Sequence, residues 1–219
     1  MLFVNFKTYK QASGFAGLEL LEKIEEAASE TQTKIIAVVQ SADVRESTIG
    51  SGLEIWAQHV DPVEYGAHTG AIIPEAVVAD GAMGTFLNHS ENKFERFSDL
   101  ELAVKRAKEA KLKTLIFAAD IKELKKVLKL KPDFAAYEPP ELVGSKTTSV
   151  AASKPNVIKK AVELAHDARI PLIVGAGIKS KKDVEVSTSL GADGVAVASD
   201  IVKAKDPKRE TLELLKGFE

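Results

Sequence analysis

Leu100–Tyr137 reads LELAVKRAKEAKLKTLIFAADIKELKKVLKLKPDFAAY and carries one pattern twice. Leu100–Ala110 and Ile121–Leu130 place apolar residues at three- and four-residue spacing, with Glu and Lys between them, which predicts amphipathic helices. Thr114–Ala118 and Phe134–Tyr137 are short apolar runs with no alternation. A strand apolar at every position is covered on both faces, as in a parallel sheet flanked by helices. Helix and strand therefore take turns here, with short connections.

The same alternation extends in both directions. Upstream, the strand candidates are Leu2–Phe6, Ile35–Val39, Ile55–Gln58 and Met83–Leu87, with a helical pattern over Gly17–Ala28. Downstream they are Leu172–Val174 and Gly194–Val197. Eight units in 219 residues average about 27 residues each, close to the shortest βαβ crossover. Six units would suit an open sheet, whereas eight predict an α/β fold closed into a (β/α)8 barrel with a parallel eight-stranded core. No Pro/Gly/Ser-rich linker or composition shift divides the chain, so a single domain over 1–219 is expected.

Composition narrows the function. Hydrophobic residues make up 45% and charged residues 28%, with a net charge of −2, so no global field draws the chain to nucleic acid or an acidic membrane. The Lys-rich helix Ile121–Lys131 lacks interleaved aromatics and reads as a solvated face. With no cysteine, disulfides and thiolate metal sites are excluded. The opening MLFVNFKTYK is interrupted by lysine well short of the roughly 20 apolar residues of a membrane span, and no later stretch approaches that length. A soluble, cytoplasmic protein is expected.

In such a barrel, chemistry gathers where strands end. The first strand ends in Asn5-Phe6-Lys7, the fourth in Asn88-His89-Ser90-Glu91 and the sixth in Tyr137-Glu138-Pro139-Pro140. The seventh runs into Gly175-Ala176-Gly177-Ile178 and the eighth into Ala198-Ser199. Asn5 and Lys7, two apart in an extended segment, would share a face. His89 reads either as a hydrogen-bonded structural histidine or as a neutral donor to a carbonyl; a metal pair with Glu91 lacks a third ligand. Glu138 reads either as a strand-end partner for a lysine or as a general base held by the prolines that follow it. Small residues at Gly175–Gly177 and Ala198-Ser199 let backbone N–H groups approach an anion. Two connections are long, His59–Pro74 and Glu138–Pro155, and long loops in compact domains are usually functional. His59, His68 and His166 read as structural or interfacial.

These segments resemble triosephosphate isomerase. The resemblance is carried by NFKTY (Asn5–Tyr9), AQHVDPVEYGAHTG (Ala57–Gly70), LNHSE (Leu87–Glu91), YEPPELVG (Tyr137–Gly144), VGAGIK (Val174–Lys179) and GADGVAVAS (Gly191–Ser199). The GAGI and VAS forms, with shortened helices, are similar to the archaeal branch of that TIM-barrel family. The resemblance implies interconversion of the two triose phosphates without metal or organic cofactor. Glu138 would be the base, His89 the neutral electrophile, and Lys7 and Asn5 the groups beside the substrate oxygens. Glu91 and Ser90 would support them, and Val143, Gly144, Gly177, Ala198 and Ser199 would hold the phosphate under a Glu138–Pro155 lid. It also implies a homodimer or homotetramer through the Tyr65–Gly70 loop.

The sequence departs from the family pattern at several places. The lid reads Ser145-Lys146-Thr147-Thr148 where a second glycine is common, and Asp200 stands where archaeal relatives usually have glycine. Asn92 replaces a usual arginine, and Ala118-Ala119 ends the fifth strand where cysteine is common. Two other readings stay open: a barrel that binds phospho-ligands without useful turnover, and an aldolase-type barrel using Lys7 for a Schiff base.

Overall fold

Eight short strands pair edge to edge in chain order and close on themselves. In the computed structural model they are β1 (Leu2–Asn5), β2 (Ile35–Val39), β3 (Glu54–Ala57), β4 (Gly84–Leu87), β5 (Lys113–Ala118), β6 (Phe134–Tyr137), β7 (Leu172–Val174) and β8 (Gly194–Val197). The structure describes residues 1–139 and 155–219; the expected donors Val143 and Gly144 and the lid residues Ser145–Thr148 lie outside them. Every pair of neighbouring strands is parallel. Closure comes from β1 against β8, with Leu2 opposite Val195, Phe3 opposite Ala196 and Val4 opposite Val197. The predicted strand bounds all agree to within one residue; the first strand stops at Asn5 and not Phe6.

The absence of alternation has the cause inferred from the sequence. Side chains on one strand face, such as Val4, Val39, Leu87, Ile116 and Val174, belong to the layer packed under the helices. The other face supplies a separate interior cluster of Phe3, Ile36, Val38, Trp56, Phe86, Leu115, Phe117, Ala136, Ile173 and Ala196. The aromatic rings meet edge to face, Phe3 to Trp56 at 5.3 Å and Phe86 to Phe117 at 4.8 Å between centroids. Such contacts pack a barrel interior tightly without stacking repulsion.

Around the barrel lie α1 (Phe15–Ala28), α2 (Val44–Gly50), α3 (Pro74–Ala79), α4 (Phe97–Glu109), α5 (Ile121–Lys129), α6 (Pro155–Asp167), α7 (Lys181–Ser189), α8 (Ser199–Val202) and α9 (Pro207–Leu215). None of the described helices is long and apolar enough to cross a membrane. Turns back into strands reuse one device. A left-handed residue follows the helix at Gly81, Lys111, Arg169 and Gly191. The next amide then bonds a carbonyl five residues back: Ala82 to Val77, Leu112 to Ala107, Ile170 to Ala165 and Ala192 to Ser187. This closing motif satisfies carbonyls at the helix end and buries the apolar residue that starts the return.

Gly84 opens β4 directly beneath the indole of Trp56. A Cβ built there would sit 2.3 Å from the indole Cδ2, and the ring is fully buried with nowhere to retreat. Gly84→Ala should therefore destabilise the barrel by about 1–3 kcal/mol through overpacking. Urea unfolding followed by the fluorescence of Trp56, the chain's one tryptophan, measures this. An unchanged midpoint would show that the indole does not occupy that space.

Candidate active site

Five strand ends deliver their residues to one mouth. Asn5, Lys7, His89, Glu138, Gly175, Gly177, Ala198 and Ser199 all line a single cleft, with Phe86 and Phe117 also in its lining. Asn5, His89 and Glu138 are buried, with 7%, 8% and 5% of their surfaces exposed.

Lys7 reaches the cleft by a route other than the one its spacing predicts. The strand ends at Asn5, and Lys7 has φ +48°, so the two residues are not successive members of one extended face. The left-handed turn is held from both sides: the Lys7 amide donates to Asn5 Oδ1 at 2.9 Å, and Gln58 Nε2 donates to the Lys7 carbonyl at 2.9 Å. The ammonium group then meets Glu91 Oε1 at 2.6 Å. Glu91 thus pairs with the lysine, and no group of three or more His, Asp or Glu side chains that could hold a metal ion is found among the described residues.

His89 is fixed through Nδ1. Nδ1 accepts a hydrogen bond from the Glu91 amide at 3.2 Å, which leaves the ring proton on Nε2. The ring packs edge to face on Phe117 with centroids 4.8 Å apart. Burial pushes the imidazole pKa down to about 4; Glu91 opposes this and the Lys7 charge adds to it. At neutral pH His89 is therefore an uncharged donor. Its Nε2 lies 3.5 Å from Glu138 Oε2.

Glu138 moves the other way. Burial raises its pKa to about 7, against the Ser90 hydroxyl, which donates to Oε2 at 2.7 Å, and against the Lys7 charge. Gly175 makes this burial possible by letting the backbone of β7 approach closely. A Cβ at Gly175 would stand 3.3 Å from Glu138 Oε1. A carboxylate that titrates near the working pH, beside a neutral imidazole donor, suits removal of a proton from carbon next to a polarised carbonyl.

On the far side of the cleft Gly177 adopts φ +69°, and Ala198 caps α8 without a side-chain bond of its own. Asp200 also lines this wall, with the Ser199 hydroxyl 3.3 Å from its Oδ2. Asp200 sits in the first turn of α8 and does not act as its cap. The remaining histidines have structural surroundings. His166 pairs with Asp193 at 2.8 Å, His59 contacts Asp61 at 3.3 Å and the Phe94 ring, and His68 lies in the exposed loop before α3.

Two further residues shape the site and were not assigned a role from sequence. Gln58 holds Lys7, as described, and Asn88 precedes His89 with φ +60°. Both are strand-end amides, and a strand-end amide beside a catalytic candidate is the signal that would have found them.

Fold and cleft together define the class of (β/α)8 barrels, here with a carboxyl, an imidazole and a lysine gathered at the carboxyl ends of the strands. The family model described as triosephosphate isomerase matches residues 1–216. The chain is 40% identical over 218 residues to a triosephosphate isomerase of Metallosphaera sedula, covering 99% of this chain and 95% of that one. It is 37% identical over 217 residues to one of Methanobacterium bryantii, covering 98% and 95%. A triosephosphate isomerase structure from Bartonella henselae shares the fold at a TM-score of 0.80, with 18% identity over 99% of this chain and 98% of that one. The chain belongs to the triosephosphate isomerase family.

The Ser90 hydroxyl donates the hydrogen bond that most strongly lowers the Glu138 pKa against burial. Its loss in Ser90→Ala should move the Glu138 titration to higher pH than in the wild type. Carbon-13 NMR of the labelled carboxyl reads this directly. A wild-type midpoint near the ordinary glutamate value of 4.5 would contradict the dominance of burial.

Proposed function

We propose that this chain, as one barrel domain over residues 1–219, interconverts D-glyceraldehyde 3-phosphate and dihydroxyacetone phosphate. The observation that carries the reading is the buried Glu138 carboxyl within 3.5 Å of the neutral His89 Nε2, with Lys7 lining the same cleft. The pairing of a glutamate base with a neutral histidine is the established pattern of this enzyme family. Glu138 takes the proton from the carbon beside the carbonyl and returns it to the neighbouring carbon. His89 Nε2–H hydrogen-bonds the substrate oxygen as negative charge develops there, and Lys7 adds a positive charge that favours the enediolate. Asn5 fixes Lys7 and orients the same oxygens. The phosphate lies against Gly177, Ala198 and Ser199; Val143 and Gly144, which lie outside the described residues, are the further donors the motif implies. The reaction proceeds in the cytoplasm without a cofactor.

A coupled assay of glyceraldehyde 3-phosphate conversion tests this reading. The wild type should be active, and Glu138→Ala should lose at least about a hundredfold, the lower end of what a general base contributes. An active wild type with an unaffected variant would remove Glu138 from the mechanism. Asp200 favours a second reading, because a carboxylate on the phosphate wall loosens the grip that positions a substrate for proton transfer without abolishing binding. On that reading the chain binds 2-phosphoglycolate but does not isomerise the triose phosphates.

The oligomer is proposed on the loop before α3. Its base is stapled by Asp61, whose amide donates to the Ile72 carbonyl at 2.8 Å and whose carboxylate accepts from the Ile72 amide at 2.7 Å. The tip, Tyr65–Gly70, projects with Tyr65 74% exposed. A large aromatic on a braced, protruding loop suits insertion into a second copy of the chain. Tyr65→Asp should convert the homodimer or homotetramer into a smaller species by light scattering, and isomerase activity should fall with it. A wild type that is monomeric would dismiss this proposal.

A further inference from the structure

The turn that carries His89 out of β4 is under constraint. Asn88 adopts the left-handed conformation, which costs a non-glycine residue energy unless its surroundings hold it, although asparagine tolerates it better than most. The side chain is buried, with only 4% of the residue exposed, and its Nδ2 makes two bonds. One goes to the Phe117 carbonyl at 3.0 Å and the other to Glu123 Oε1 at 2.9 Å. Both amide hydrogens of Asn88 are thereby used.

Glu123 lies in the first turn of α5 and is held on every side. Its Oε2 accepts from the Ala119 amide at 2.7 Å, Lys93 Nζ donates to both oxygens at 2.8 and 2.9 Å, and its own amide is bonded by the Asp120 cap at 2.7 Å. The carboxylate therefore joins the β4 turn, the end of β5 and the start of α5. Phe117 closes the circuit. Its carbonyl receives Asn88, and its ring carries the His89 imidazole.

We propose that Asn88 and Glu123 are positioning residues that lock the His89 imidazole against Phe117, with Nε2 aimed into the cleft. They do not touch substrate. They act by fixing the left-handed turn and the depth at which His89 sits, and a displacement of about 1 Å at such a site can cost a hundredfold in rate. This rests on the isomerase reading given above.

Asn88→Gly is the discriminating variant, because glycine keeps the left-handed backbone and removes only the tether. Its kcat should fall about tenfold to a hundredfold, with KM changed by less than about twofold. Affinity for 2-phosphoglycolate, whose carboxylate addresses the His89 side of the cleft, should fall, while that for inorganic phosphate should not. Glu123→Ala should reproduce the same split, and thermal melting establishes that each variant is folded. Unchanged kcat and phosphoglycolate affinity in folded Asn88→Gly would overturn the proposal. If the wild type does not isomerise, the functional reading fails, and nitrogen-15 NMR of the His89 ring still decides the brace. Shifts altered in Asn88→Gly support it, and unaltered shifts overturn it.

Discussion

Closure of the sheet between β1 and β8 is the constraint on which the site depends. The first and last strands are joined by a parallel register, and Met1 extends it: its carbonyl accepts from the Val195 amide at 3.1 Å and its amine donates to the Asp193 carbonyl at 3.1 Å. Asn5 and Lys7 leave β1 at the same rim where Ala198 and Ser199 leave β8. Groups from opposite ends of the chain thus become neighbours, and an open sheet would hold them at its two far edges. Closure also creates an interior that must be filled. Large rings at Phe3, Trp56, Phe86 and Phe117 are accommodated by small residues at Gly84, Ala136 and Ala196. The uppermost rings, Phe86 and Phe117, are at once core and cleft lining. Packing in the barrel and placement of the imidazole are one problem.

The chemistry of the cleft follows from that apolar lining. Low polarizability disfavours any charged form, so it moves an acid and a base in opposite directions. The carboxyl becomes a better proton acceptor and the imidazole a better neutral donor, from the same cause. The remaining polar contacts correct the balance. The Ser90 hydroxyl keeps Glu138 ionisable, and the Lys7–Glu91 pair brings a cation to the rim with its counter-charge beside it. The Glu91 backbone, not its carboxylate, sets the His89 tautomer.

Much of the fold was legible because it is written locally. Apolar runs without alternation, separated by helices of three- and four-residue periodicity, report two-sided burial whatever the tertiary details. Strand ends in a barrel converge, so topology alone could place Lys7, His89 and Glu138 in the one cleft that they line. What escaped was conformation and long-range bonding. The turn at Lys7 replaces the extended face that residue spacing suggested, because Asn5 and Gln58 trap its backbone from positions 2 and 51 residues away. Asn88 looked like a motif letter, since its partners lie 29 and 35 residues downstream. No periodicity encodes such a bond. The expected phosphate donors Val143 and Gly144 lie outside the described residues and stay a reading of the motif.

The opposed shifts of Glu138 and His89 have a thermodynamic consequence for the whole molecule. In the unfolded chain, between about pH 4.5 and 6.5, the glutamate is ionised and the histidine carries the proton. In the folded chain over the same range the glutamate, raised to about 7, holds the proton, and the histidine, lowered to about 4, does not. The raised acid alone would make the fold lose stability as pH climbs through this window, and the lowered base alone would make it gain. Each state binds one proton, so the slopes cancel. Folding relocates a proton within the pair without taking one up or releasing one. Within this window the two costly burials are thereby hidden from the acidity of the medium.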